Sequence, residues 1–254
     1  MSLLYRRELA LASKWLKGEG SQQMTDRGTQ GSGFIPIKGV IFDMDGTLTK
    51  PILNFAEMRR QLGIKPGSDI LTHVNSLPLP DKTTALQIVE SIEEEANRKM
   101  ELQPGVLELL DFLASKSIKR GLLTRNSKSS AELFLAKLQE SLAGSAAIYS
   151  SLTSVKIFSQ VVTREFQPNK PDPAPVSHMA LNWELPAENI LVVGDDKADV
   201  ISGHKAGTMT ALLLNDASKA SELTPGTPPC DIAISSLHQL LEHLQKPIII
   251  KPSD

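Results

Sequence analysis

Cysteine is almost missing from this chain: Cys230 is the only one in 254 residues. No internal disulfide can form, so a reducing, intracellular setting is expected. The surrounding PPCD offers the thiol no basic neighbour, and an inert cysteine is the expectation there. Long apolar runs are also lacking. The longest, ILVV from residue 190 and ALLL from residue 211, are strand-sized, against the roughly 20 residues that a membrane span needs, so no membrane association is expected. Charge of one sign is scarce too, because 27 basic against 29 acidic residues leave a net charge of −2. That balance provides no field for gathering nucleic acid or anionic lipid. Three motifs are missing: there is no GxxxxGK[ST] loop, no GxSxG elbow, and glycines 28, 31 and 33 precede the first strand candidate with the wrong spacing for a dinucleotide fingerprint. The five histidines, at 73, 178, 204, 238 and 243, have no metal-binding spacing to cysteine or to one another. His73 falls near Arg59, Arg60 and Lys65, where surface solvation is the expected role.

What is present reads as a globular α/β chain. The apolar fraction of 41% and charged fraction of 22% are ordinary, and the length suits one large domain or one domain with an insertion. From residue 38 strand and helix signals alternate. GVIFD at 39, RGLLT at 120, IFSQVVT at 157, NILVVG at 189 and TALLLN at 210 are mostly continuous apolar runs of the kind buried on both faces of a parallel sheet. Between them, Val106/Leu109/Leu110/Leu113, Ala131/Leu135/Leu138/Leu142 and Val176/Met179/Ala180/Trp183 each share one helical face. Right-handed crossovers then predict a doubly wound parallel sheet, whose ligands sit beyond the carboxyl ends of the strands.

Residues 51–103 break the rhythm. Phe55/Met58/Leu62, Ile70/Val74/Leu77 and Leu86/Val89/Ile92/Ala96/Met100 predict three helices and no strand, a small helical insertion. The acidic run Glu93, Glu94, Glu95 is read as a solvated helix face. Residues 142–155 form an unusually long connection. At the N-terminus, residues 2–17 have an amphipathic pattern followed by a flexible, glycine-rich stretch. This extension, residues 1–37, is open to reading as an organelle-targeting segment, a packed helix or a disordered arm.

The chemistry collects at strand ends. In VIFDMDGTLTK, residues 40–50, three apolar residues run into Asp43, and Asp45 follows two positions later, facing the same way from an extended segment. Two buried acids need a cation nearby, since an unpaired buried charge costs several kcal/mol. Gly46 permits a tight turn, and Thr47 is expected to hydrogen-bond nearby backbone or Asp45. The second strand ends in Thr124, with Arg125 and Asn126. Lys170 lies in NKPDPAP after the third, and Asp195, Asp196 and Asp199 lie in GDDKAD after the fourth. In a parallel sheet these four ends converge on one edge.

DxDGT, a strand ending in Thr, an isolated Lys before PDP, and GDDxxD, in that order, resemble the haloacid dehalogenase-like superfamily over roughly residues 38–240. The position of the insertion resembles the subgroup with a helical cap. The resemblance implies a Rossmann-like core of residues 38–50 and 104–254, with residues 51–103 as the cap. It implies a Mg²⁺-dependent phosphatase acting on a small phosphorylated metabolite. Asp43 would be the nucleophile, and Asp45 the acid and then the base. Thr124, Arg125, Asn126 and Lys170 would hold the phosphoryl group. The Mg²⁺ ligands would be the carboxylates of Asp43 and Asp195 and the carbonyl of Asp45, with Asp196 or Asp199 orienting them and the choice between Asp195 and Asp196 open. A dehalogenase has no use for Asp45, which favours phosphoryl chemistry. A phosphomutase or a non-catalytic binding module is the alternative. The expected compartment is the cytoplasm, with mitochondrial or plastid targeting as the alternative, and the oligomeric state is open.

Overall fold

The computed structural model describes residues 36–66, 68–215 and 230–246, so the N-terminal extension and its amphipathic pattern lie almost wholly outside the described residues. Six strands, β1 (Gly39–Phe42), β2 (Lys119–Leu123), β3 (Gln160–Val162), β4 (Ile190–Gly194), β5 (Met209–Leu213) and β6 (Ile232–Ile234), form one sheet in the order β3-β2-β1-β4-β5-β6. Every pair is parallel. The doubly wound α/β core expected from the alternating pattern is therefore present.

Both faces of the sheet are covered, which is why its strands are apolar almost throughout. Val40 and Phe42 of β1 point into one cluster, with Leu109, Leu110 and Leu113 of α4 (Val106–Ser115), Phe134 and Leu138 of α5 (Lys128–Ala143) and Leu240 of α9 (Leu237–Gln245). Ile41 points the other way, into Val176, Met179 and Trp183 of α7 (Ala174–Trp183). Beside it, α8 (Lys197–Lys205) packs on β4 and β5.

Between β1 and α4 lie α1 (Phe55–Gln61), α2 (Ile70–Ser76) and α3 (Asp81–Arg98), the three helices that the sequence predicts, with no strand among them. They pack around a cluster of their own, built from Met58, Ile70, Val74, Ala85 and Val89. Asn54 and Asp69 cap α1 and α2 by accepting from Glu57 N and Thr72 N. The chain leaves and re-enters the core through a two-stranded link: Lys50 N donates to Glu101 O and Gln103 N to Leu48 O, both at 2.9 Å.

Two elements differ from expectation. The apolar run from residue 157 is not all strand: Ile157 and Phe158 plug the core from a loop, Arg120 Nε donates to Ile157 O, and β3 begins only at Gln160. The long connection at 142–155 holds a single-turn helix, α6 (Ser150–Thr153), pinned by the buried Leu152 and by the bond from Leu152 N to Asp111 Oδ1.

Candidate active site

The order of the strands brings the acids together. β1 and β4 are neighbours, and Asp43 N donates to Val193 O at 2.9 Å, so Asp43 and Asp195 leave adjacent strand ends on the same edge. Between them the chain turns at Gly46, whose φ of +76° suits glycine. A Cβ at that position would lie 2.1 Å from Asp195 Oδ2, so the missing side chain makes the space that Asp195 fills.

Lys170 meets Asp43 from the loop after β3. Its ammonium is buried and donates three times: to Asp43 Oδ1 at 2.7 Å, Asp199 Oδ1 at 2.6 Å and Leu123 O at 2.9 Å. All three protons are used, which is the condition for burying such a charge. Burial pulls its pKa down, but Asp199 and Asp43 outweigh burial and push it up. The acids respond in kind. Burial lifts Asp43 above the ordinary carboxylate range against the pull of Lys170, and lifts Asp199 to about 7. Asp45 rises to about 6, again through burial, with the bond from Asn126 opposing and the charge of Glu93 assisting. A carboxyl poised there can hold and release a proton near neutrality.

Around Asp45 the structure redistributes the expected contacts. Asn126 Nδ2 donates to Asp45 Oδ2, and Asn126 N donates to Thr124 Oγ1 at 3.1 Å, so the turn after β2 is folded onto the second acid. Thr47 does not bond as predicted. Its hydroxyl is buried with no hydrogen-bond partner among the described residues, and Thr49 takes that place, donating to Met44 O at 3.2 Å and Asp45 Oδ1 at 3.5 Å. The turn at Gly46 carries the 47 side chain away and returns the 49 side chain, as the Asp45–Thr49 bridge indicates. Arg125 pairs through Nη2 with Asp69, the residue that caps the start of α2.

The GDDKAD turn separates its three acids. Asp195 enters the cluster, where Asn215 Nδ2 donates to its Oδ2 at 3.1 Å. Asp196 caps α8 through Ala198 N at 2.8 Å. Asp199 faces inward onto Lys170 and accepts from Asp196 N. Among the described residues, Asp43, Asp195 and Asp199 form the one group of three potential metal ligands, with carboxylate oxygens within 4.8 Å of one another. An all-oxygen, acidic set with only one lysine opposing it fits a hard divalent cation such as Mg²⁺. Asp199 has both oxygens engaged, by the Lys170 ammonium and by Asp196 N.

Glu93 corrects the reading of the acidic run. It is 5% exposed and lies on the Ala85–Val89–Ala96 stripe of α3, where its carboxylate meets Arg164 Nη1 at 2.7 Å, in the loop after β3. Glu94 and Glu95 face solvent. The three-helix unit thus meets the core through Glu93–Arg164, Asp69–Arg125 and the bond from Asn97 Nδ2 to Ser130 Oγ. Arg59 and Arg60 are occupied by Ser68 O and Glu57. Asn215, Gln103, Thr49 and Arg164 are the residues at the site that carry no motif signal in the sequence.

A haloacid dehalogenase-like hydrolase domain-containing protein of Arabidopsis thaliana is 37% identical over 189 residues, 70% of this chain and 71% of that protein. An uncharacterized hydrolase of Saccharomyces cerevisiae is 33% identical over 216 residues, covering 84% and 93%. The crystal structure of a hydrolase from Pseudomonas syringae aligns with a TM-score of 0.63 at 20% identity, over 82% of this chain and 98% of that one, and has the same fold. Residues 53–213 match the family described as haloacid dehalogenase-like hydrolase, and with its strand-end acids and lysine in place, this chain belongs to that family.

Proposed function

We propose that the protein is a phosphatase that hydrolyses a small phosphorylated metabolite in two steps, through an aspartyl-phosphate on Asp43. The observation that carries this reading is the buried Lys170 ammonium, 2.7 Å from Asp43, with Asp45 held on the same turn by Asn126. In the first step an Asp43 oxygen attacks phosphorus, the ester P–O bond breaks, and Asp45 gives its proton to the departing oxygen. In the second, Asp45 takes a proton from water as the water oxygen attacks phosphorus, and Asp43 leaves as a carboxylate. The value of about 6 at Asp45 suits both duties. Lys170 offsets the negative charge that two anions bring together, and the Thr124 hydroxyl with the backbone N–H groups of its turn holds phosphoryl oxygens.

The carboxylates of Asp43 and Asp195 and the carbonyl of Asp45 would hold Mg²⁺, with Asp199 orienting them. When bound, the ion supplies positive charge to a phosphoryl oxygen and to the acids. Residues 51–103 serve as a cap that limits access to the recessed acids, which favours small substrates over folded phosphoproteins. Phosphoglycolate phosphatase of Pseudomonas fluorescens and phosphorylated carbohydrates phosphatase of Thermotoga maritima, 24% and 29% identical to this chain, support that class. No helix among the described residues is long and apolar enough to cross a membrane. Burial pushes the Cys230 thiol up to about 11, which supports an inert cysteine.

The test is turnover of p-nitrophenyl phosphate and of a panel of phosphorylated metabolites, with and without Mg²⁺. Wild type should be active only with the ion, and Asp43→Asn should be inactive. Equal activity in Asp43→Asn, or faster release from a folded phosphoprotein than from any small ester, overturns the reading.

A further inference from the structure

Two amide side chains without a motif connect the acid cluster to the link between core and cap. Asn215, just beyond β5, donates through Nδ2 to Gly46 O at 2.7 Å and to Asp195 Oδ2 at 3.1 Å. Gln103, on the segment that returns from the helical unit, donates through Nε2 to Asn215 Oδ1 at 2.8 Å and to Gly46 O at 3.3 Å. These bonds span 112, 57, 169 and 20 residues of sequence, so local chain geometry does not produce them. Gln103 is also fixed by its own backbone, because Gln103 N donates to Leu48 O next to the Thr49–Leu102 bridge. The Gly46 carbonyl follows directly on Asp45, so the same relay steadies both the turn and the carboxylate that face the proposed cation.

We infer that Asn215 and Gln103 are positioning residues: together they hold Asp195 and the Asp45–Gly46 turn in the geometry that binds a divalent cation, and tie that geometry to the cap link. The inference rests on the cation-binding reading above. Partners that orient metal ligands through hydrogen bonds affect affinity by about 10–100-fold.

The experiment is calorimetric titration of the full-length protein with Mg²⁺ in the absence of substrate, for wild type, Asn215→Ala, Gln103→Ala and the double variant. Circular dichroism and the unfolding midpoint without cation check folding. Asn215→Ala should weaken binding about tenfold or more. Gln103→Ala should weaken it less, and the double variant should be no weaker than Asn215→Ala by more than about twofold, since Gln103 acts on Asp195 through Asn215. If Asn215→Ala does not fold, Asn215→Ser is held to the same standard. Binding within about twofold of wild type in the folded Asn215 variant overturns the positioning role, and multiplied losses in the double variant overturn the relay. Absence of binding in wild type overturns the cation reading itself and this inference with it.

Discussion

At the scale of single residues, Lys170 holds the site in its shape. It is one ammonium facing two carboxylates and a carbonyl in a space almost closed to water. Replacing it by methionine keeps the bulk and leaves Asp43 and Asp199 buried without their counter-charge, which costs about 3–5 kcal/mol. Urea unfolding of Lys170→Met at neutral pH should show a loss of that order, whereas a change under about 1 kcal/mol would mark the pair as exposed in solution. Gly46 is the second such residue. Gly46→Ala places a side chain at positive φ and against Asp195 Oδ2. The backbone alone costs roughly 1–3 kcal/mol. Its unfolding midpoint should fall, and the rise expected for wild type on adding Mg²⁺ should be lost. Both residues were legible in the sequence, because a lysine before PDP and a glycine after two acids stand at strand ends. Thr49, Asn215 and Gln103 were not. Threonine, asparagine and glutamine are common in loops, and only the fold brings positions 46, 103, 195 and 215 together.

At the scale of elements, α3 shows how far periodicity reaches. Its apolar stripe predicted the helix and its packing, yet the same period places Glu93 four residues after Val89, on the buried face. Three successive acids suggest a solvated face by composition, but the helical phase buries the first of them. Burial pushes Glu93 up to about 7; Arg164 opposes this, while Glu90 and Glu165 add to it. A carboxyl raised in the folded state binds its proton there more tightly than in the unfolded chain. Its contribution is therefore fully present below its ordinary value of 4.5 and is lost as pH rises toward about 7. The loss is on the order of 3 kcal/mol. Glu93→Gln should remove that slope: unfolding free energy plotted against pH should fall less steeply across this window than in wild type. Parallel slopes would mean that Glu93 is solvated after all. Strand β3 and helix α9 mark the other limit. The core-filling Ile157 and Phe158 sit in a loop and read as strand, while the short β6–α9 pair follows a stretch with no rhythm and drew no expectation.

At the scale of the whole molecule, the strand order does most of the work. Asp43, Thr124, Lys170 and Asp195 are spread over 153 positions of sequence, but parallel strands put all their carboxyl ends on one edge. That convergence was legible because buried parallel strands read as continuous apolar runs and their terminal polar residues stand out. The placement of the helical unit was less so: its contacts with the core run through Asp69–Arg125 and Glu93–Arg164, pairs that no local pattern joins. The central claim, a phosphoryl group carried on Asp43, is tested most directly by acid-quenching Asp45→Asn during turnover of p-nitrophenyl phosphate with Mg²⁺ and mapping the phosphorylated peptide by mass spectrometry. With the water-activating carboxylate removed, the phosphoryl group should accumulate on the peptide containing Asp43. Its appearance on another residue, or steady release of phosphate with no phosphorylated enzyme at any time, would contradict the account.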